Sequence, residues 1–100
     1  MFHLTRKIKY SAINFNKDLK RTVTYNLRWI DSTYDVYVTD KLSKLDGTVI
    51  RERQYQQERV SMFQLNRHLE TMKEIDMSHG YYVNVKGDNY ERNSFKECIA

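Results

Sequence analysis

The stretch TVTYNLRWIDSTYDVYVT, residues 22–39, decides the fold. Val23, Tyr25, Leu27 and Trp29 alternate with Thr22, Thr24, Asn26 and Arg28. Tyr34, Val36 and Val38 then alternate with Asp35 and Tyr37. A period of two puts each apolar set on one face of an extended chain. Two such runs joined at Asp31-Ser32 predict a tight hairpin, although Asp-Ser is not the strongest turn pair. The register is specific: Trp29 opposite Tyr34, Leu27 opposite Val36, Tyr25 opposite Val38, and Arg28 opposite Asp35 on the other face. A slip of one residue would undo every pair.

Working outward, the run Phe2–Phe15 is expected to turn through residues 16–19 and pair with the first strand of the hairpin. That register sets Tyr10 against Tyr25, Ile8 against Leu27 and Ala12 against Val23. It also sets Lys7 against Arg28, which is an unfavourable like-charge pair. On the other side, Asp46-Gly47 is a two-residue hairpin signal. It aligns Val38 with Tyr55, Asp40 with Arg53 and Lys41 with Glu52, and predicts a fourth strand over about residues 48–58. The segment RERQYQQER, residues 51–59, has reasonable helical propensity as well. As a helix it would merge with the next element into a rod of about 28 residues, too long for a domain this small.

The helix start is marked by Ser61 as N-cap and Gln64 three residues on, a capping box, with Val60 and Leu65 placed for a hydrophobic staple. Met62, Leu65, Leu69 and Met72 recur at helical spacing, with Ile75 as the outermost candidate. Such a stripe is expected to cover a sheet face, so its methionines read as core. Gly80 is an end signal, with Met77–His79 already irregular. Tyr81–Val85 reads as a fifth strand, with Tyr81, Val83 and Val85 on one face and Tyr82, Asn84 and Lys86 on the other. Gly87-Asp88-Asn89 is a turn, and residues 90–100 form a frayed tail or a short helix. The expected fold is α+β, in one domain spanning 1–100: a four-stranded antiparallel meander, one amphipathic helix packed on one sheet face, and a fifth strand.

Composition narrows the function classes. The chain has 100 residues, net charge +4, one cysteine and no proline. A lone Cys98 excludes an internal disulfide framework. The N-terminal MFHLTRKIKY lacks the apolar core of a signal peptide and no apolar run approaches a membrane span, so a cytoplasmic address without membrane association is expected. Residues 1–30 carry seven basic groups against Asp18 alone, a local charge of +6. This third would attract phosphate or an acidic protein face, or would simply be a solvated surface.

Catalytic chemistry is not evident. There is no GxSxG, Walker loop, HExxH or GxGxxG. His3, His68 and His79 fall on different elements. His68 borders the helix stripe, His79 adjoins the helix end, and Cys98 lies in the tail beside Glu97. Asp35, Asp40 and Glu52 each face a basic residue, which suits surface ion pairs better than an acid–base dyad. The expectation is a non-enzyme without cofactor or metal.

Two binding surfaces remain. The sheet face opposite the helix would present Thr5, Lys7 and Lys9, then Thr24, Asn26 and Arg28, then Asp35, Tyr37 and Thr39, then Gln54 and Gln56. Cations beside an exposed ring suit single-stranded nucleic acid, whose phosphates take the charge and whose bases stack. Four strands followed by a helix is similar in topology to the whirly-like single-stranded-DNA-binding fold, and the fifth strand lies outside that pattern. HGYYVNV, residues 79–85, brushes against the RNA-binding strand pattern but fails it at the small-residue position. The second surface is an edge. Eight tyrosines exceed what a small core holds, and Tyr suits interfaces, though sheets favour it for local reasons too. Without proline to block them, Phe2–Tyr10 or Tyr81–Val85 would be free to pair with an identical copy or a partner's strand. The function expected is a small non-catalytic interaction module of the accessory or inhibitor type that phages and mobile elements encode, bound to a larger protein partner. The alternative is a single-stranded nucleic-acid binder. Candidate surface residues are Lys7, Lys9, Arg21, Arg28, Tyr37 and Tyr82.

Overall fold

The computed structural model describes residues 5–87. Its elements are β1 (Thr5–Asn14), β2 (Leu19–Ile30), β3 (Thr33–Ser43), β4 (Val49–Val60), α1 (Met62–Ser78) and β5 (Tyr82–Gly87). The five strands form one antiparallel sheet in the order β4-β3-β2-β1-β5, with α1 packed across one face. The shortest dimension is 20 Å, the thickness of one sheet plus one helix layer. His3, Cys98, the turn after Gly87 and the tail 90–100 lie outside the described residues.

The central hairpin has the register its alternation demands. Trp29 pairs with Tyr34, Leu27 with Val36, Tyr25 with Val38 and Arg28 with Asp35. Asp31 (φ 48°) and Ser32 (φ 69°) both take the left-handed conformation that a two-residue type I′ turn requires. Thr33 Oγ1 donates to the Ile30 carbonyl at 3.2 Å and closes the turn. Trp29 does not reach the core. It is 43% exposed and packs edge-on against Tyr34, with ring centroids 4.9 Å apart.

β3 and β4 also align as read: Val38 with Tyr55, Asp40 with Arg53, Lys41 with Glu52. The connection differs. Gly47 N donates to the Lys44 carbonyl and Lys44 N to the Thr48 carbonyl, so three residues, not two, form the loop. Gly47, at φ 99°, takes the left-handed position after the turn. The extra loop residue is absorbed by a register shift: Leu42 pairs with Arg51 but Ser43 with Val49, which leaves Ile50 bulged. A second irregularity follows Gln57, where Arg59 adopts φ 56°.

The β1–β2 register is corrected by two residues. Tyr10 pairs with Val23, Ile8 with Tyr25, Ala12 with Arg21, and Lys7 with Asn26. The turn is Phe15–Asp18, one residue earlier than expected, and the Lys17 N–H donates to Asn14 Oδ1 at 3.0 Å. An even slip keeps every side chain on its face, so the inward set is unchanged. It also replaces the Lys7–Arg28 repulsion with Lys7–Asn26.

Ser61 caps α1 with both bonds of the capping box present. Leu65 and Leu69 are buried, and Met62, Met72 and Val60 pack against the core of Ile8, Tyr10, Ala12, Val23, Tyr25, Leu27, Val36 and Val38. Ile75 is 51% exposed and so lies off the stripe. The helix runs regularly through Ser78, past the break expected at Met77. The Gly80 φ of 87° then reverses the chain. At this end Asn14 Nδ2 donates to the His79 carbonyl at 3.2 Å, and the Tyr10 hydroxyl donates to Asp76. These bonds tie the helix C-terminus to β1. β5 pairs with Ile8–Ile13, so β1 is interior there. The expectation that Phe2–Tyr10 is a free edge fails from Ile8 onward. Among the described residues, β4 and β5 are the edge strands of the sheet.

Candidate nucleic-acid interface

The same alternation that fills the core arms the other face. Residues paired across the sheet point the same way, so one open surface carries the row Lys86–Lys9–Thr24–Thr39–Gln54 and the row Lys7–Asn26–Tyr37–Gln56. Its cations divide into two groups. Arg28 faces Asp35 and Lys41 faces Glu52. Lys7, Lys9, Lys20 and Lys86 have no acid opposite them. Lys9 and Lys86 sit directly opposite each other, a like-charge pair that costs the sheet stability.

Three of these lysines line a shallow hollow spanning β5, β1 and β2. Its walls are Lys9, Ser11, Ile13, Lys20, Tyr82, Val83, Asn84 and Lys86, without a carboxylate among them. Tyr82 stands at the end of the hollow, 71% exposed, with its ring 5.8 Å from that of Phe15, itself 65% exposed. Phe15 was displaced into the turn by the β1–β2 register, and that displacement places it beside Tyr82. Tyr37, 42% exposed, lies across the sheet from Lys7. The arrangement offers positive charge, amide and hydroxyl groups, and flat rings on one surface.

Five of the six candidate residues, Lys7, Lys9, Arg28, Tyr37 and Tyr82, therefore share one face. Arg21 does not. It lies on the helix side, where Nε and Nη2 donate to the two carboxylate oxygens of Asp40 at 3.2 and 3.0 Å. Arg53 adds a third bond to Asp40 at 3.1 Å. Burial alone would raise the Asp40 pKa, but the bonds and charges of Arg21 and Arg53 outweigh it and hold the carboxyl below its ordinary range. The Asp40 bond in turn raises the Arg21 pKa. This cluster clamps β2, β3 and β4 together.

Lys20 and Lys86 were missing from the sequence-based surface. Lys20 shares parity with Thr22 and Thr24, which was a usable signal. Lys86 joined only because β5 pairs with β1, a neighbour that local pattern does not specify.

Other chemistry is sparse. Burial and the bond to Asp76 raise the Tyr10 pKa, and burial raises that of Tyr25, whose hydroxyl meets the Met72 sulfur at 3.4 Å. Both phenols are held neutral beneath the helix. His68 stands edge-on to the Tyr25 ring at 6.3 Å and borders a groove between α1 and the end of β4. Among the described residues, no group of three His, Cys, Asp or Glu is placed to hold a metal, and no helix is long and apolar enough to cross a membrane. No family model, curated protein or solved structure matches the chain.

Proposed function

We propose that this chain is a non-catalytic binding module, and that the ligand its geometry fits best is single-stranded nucleic acid laid on the open sheet face. One observation carries the reading: Lys9, Lys20 and Lys86 surround a hollow free of acids, with the exposed Tyr82–Phe15 ring pair at its end. Phosphates replace the counterions of the lysines while bases stack on the rings, a sequence-tolerant mode. Arg28 and Lys41 stand opposite the carboxylates Asp35 and Glu52, whose negative charge repels phosphate, so the backbone path runs over β5, β1 and β2 rather than over β3 and β4. The test is fluorescence anisotropy of a labelled single-stranded oligonucleotide at several salt concentrations. Binding that weakens steeply with salt is expected, and each lysine removed lowers the slope by about 0.7. Absence of binding at low salt sinks the reading.

A second reading is favoured by β4. Among the described residues, this edge strand is exposed from Val49 to Arg59 and pairs on one side only, with β3. An extended segment of a larger protein partner could add to it as a sixth strand, as in accessory or inhibitor proteins of phages and mobile elements. A partner recovered from the native host whose binding is lost when proline replaces residues along β4 would support it.

A further inference from the structure

We infer that β4 is a self-association edge: two copies join β4 to β4, antiparallel, with Gln54 on the two-fold axis. This rests on the second reading above, that β4 accepts a strand, and is independent of the lysine face.

Three observations lead there. First, α1 leaves β4 uncovered, and Val49, Ile50 and Tyr55 are each 42–51% exposed along it. Second, edge strands are commonly protected by bulges, and β4 has two irregularities. One is at Ile50 and the other follows Gln57, where Arg59 takes φ 56°. They bracket a regular window, Arg51–Gln57, whose midpoint is Gln54. The protection flanks this window and leaves its interior open.

Third, the charges select a register. A two-fold perpendicular to the sheet sets same-face residues opposite each other, so the axis must pass through a residue. Centring on Arg53 sets that guanidinium against itself. Centring on Tyr55 opposes Arg51 to Arg59 and Glu52 to Glu58. Centring on Gln56 opposes Arg53 to Arg59, and centring on Gln57 drives the ladder through the distorted Arg59. Centring on Gln54 maps the regular window onto itself. Glu52 then faces Gln56, Arg51 faces Gln57, and Arg53 faces Tyr55 of the second copy, a cation against an aromatic face. No like charges meet. An isologous contact of this kind closes as a dimer with a ten-stranded sheet and leaves no β4 edge for further growth.

Sedimentation velocity over a range of concentrations should show a monomer–dimer equilibrium. Gln56→Lys places a cation opposite Glu52 twice per dimer and should tighten the dimer. Gln56→Glu places like charges there and should loosen it, each by about twofold to thirtyfold. In a Cys98→Ser background, oxidised Gln54→Cys should cross-link, because a residue opposite its own copy lies within disulfide reach. A chain that stays monomeric at its highest soluble concentration overturns the inference. So does cross-linking at Tyr55→Cys but not at Gln54→Cys, or indifference of the dimer to the charge at position 56. In the monomeric case a captured host protein would leave strand addition standing with a different partner.

Discussion

The two faces of this sheet are made from alternate residues of the same strands, yet they carry different physics. On the helix side, Ile8, Tyr10, Val23, Tyr25, Leu27, Val36 and Val38 are at most 2% exposed. On the open side, Lys7, Lys9, Asn26, Arg28 and Tyr37 are exposed. One face is held by apolar burial and by one ion-paired carboxylate. The other retains a repulsive Lys9–Lys86 pair that nothing in the fold requires. The stabilising interactions are therefore concentrated on one side, which frees the other to hold charge and rings at some cost to stability.

Leu69→Ala should break the covered face most severely. Leu69 is 4% exposed at the centre of the helix contact, and emptying such a site costs about 2–5 kcal/mol. Chemical denaturation should show that loss. Under conditions where the variant remains folded, oligonucleotide affinity should be unchanged. A parallel loss of affinity would mean that the helix side contributes to binding.

The ion-paired end of the same face comes next. Asp40→Asn leaves Arg21 half-buried and unpaired, for which we expect a loss of about 1–3 kcal/mol near neutral pH, less than for a fully buried pair because both arginines are partly solvated. The pH dependence has a definite sign. The folded-state pKa of Asp40 is depressed below its ordinary 3.8. Its contribution is complete above that value and disappears as pH falls through the lower, folded pKa. Asp46 shifts the same way because the Thr48 N–H donates to it. The wild-type chain should thus lose stability below about pH 4, and Asp40→Asn should flatten that decline without abolishing it. Equilibrium unfolding between pH 2 and pH 7 would decide.

Much of this was legible in the sequence, for reasons tied to particular residues. Period-two alternation assigned residues to faces, and cross-strand partners such as Trp29–Tyr34 and Asp40–Arg53 fixed two of the three meander registers. The third, β1 on β2, resisted because its face pattern is satisfied equally by slips of two. The turn chemistry that decides it is the Asn14 side chain bonding to Lys17 N, a contact with no short motif. The β3–β4 register was right although its loop was not, since the Ile50 bulge restores the count that the third loop residue removes. Lys7, Lys9, Arg28 and Tyr37 were placed on one surface by parity, whereas Tyr82 joins them only through the pairing of β5 with β1. Arg21 does not share that surface, because its parity with Val23 and Tyr25 turns it to the helix side, where it bonds Asp40. The joining of β5 to β1 is long-range, so the Lys9–Lys86 pair and the hollow around it had no local trace.

The turn between β2 and β3 belongs to neither face and sharpens the contrast by serving as a control. Ser32 holds φ 69° without the freedom of glycine. Ser32→Gly relieves that strain, offset in part by the greater entropy of the unfolded chain. A net gain of up to about 1 kcal/mol in thermal or chemical unfolding is expected, with ligand affinity unaltered. A loss of stability would show that the Ser32 side chain contributes more than its backbone strain costs.

The smallest change in stability is the most informative about the open face. Replacing both Lys9 and Lys86 by Ser removes a like-charge pair at an edge strand, where a favourable pair would contribute only about 0.2–1 kcal/mol. The folded state should gain a few tenths of that scale at low salt, and the gain should shrink as salt screens the repulsion. Affinity should move the other way: weaker oligonucleotide binding, with the salt slope reduced by about 1.4 for the two lost phosphate contacts. Opposite signs in one variant are what separates a ligand-facing surface from a merely solvated one. If the two lysines were ordinary surface charge, stability would rise just the same, but the salt slope of binding would not respond to their removal.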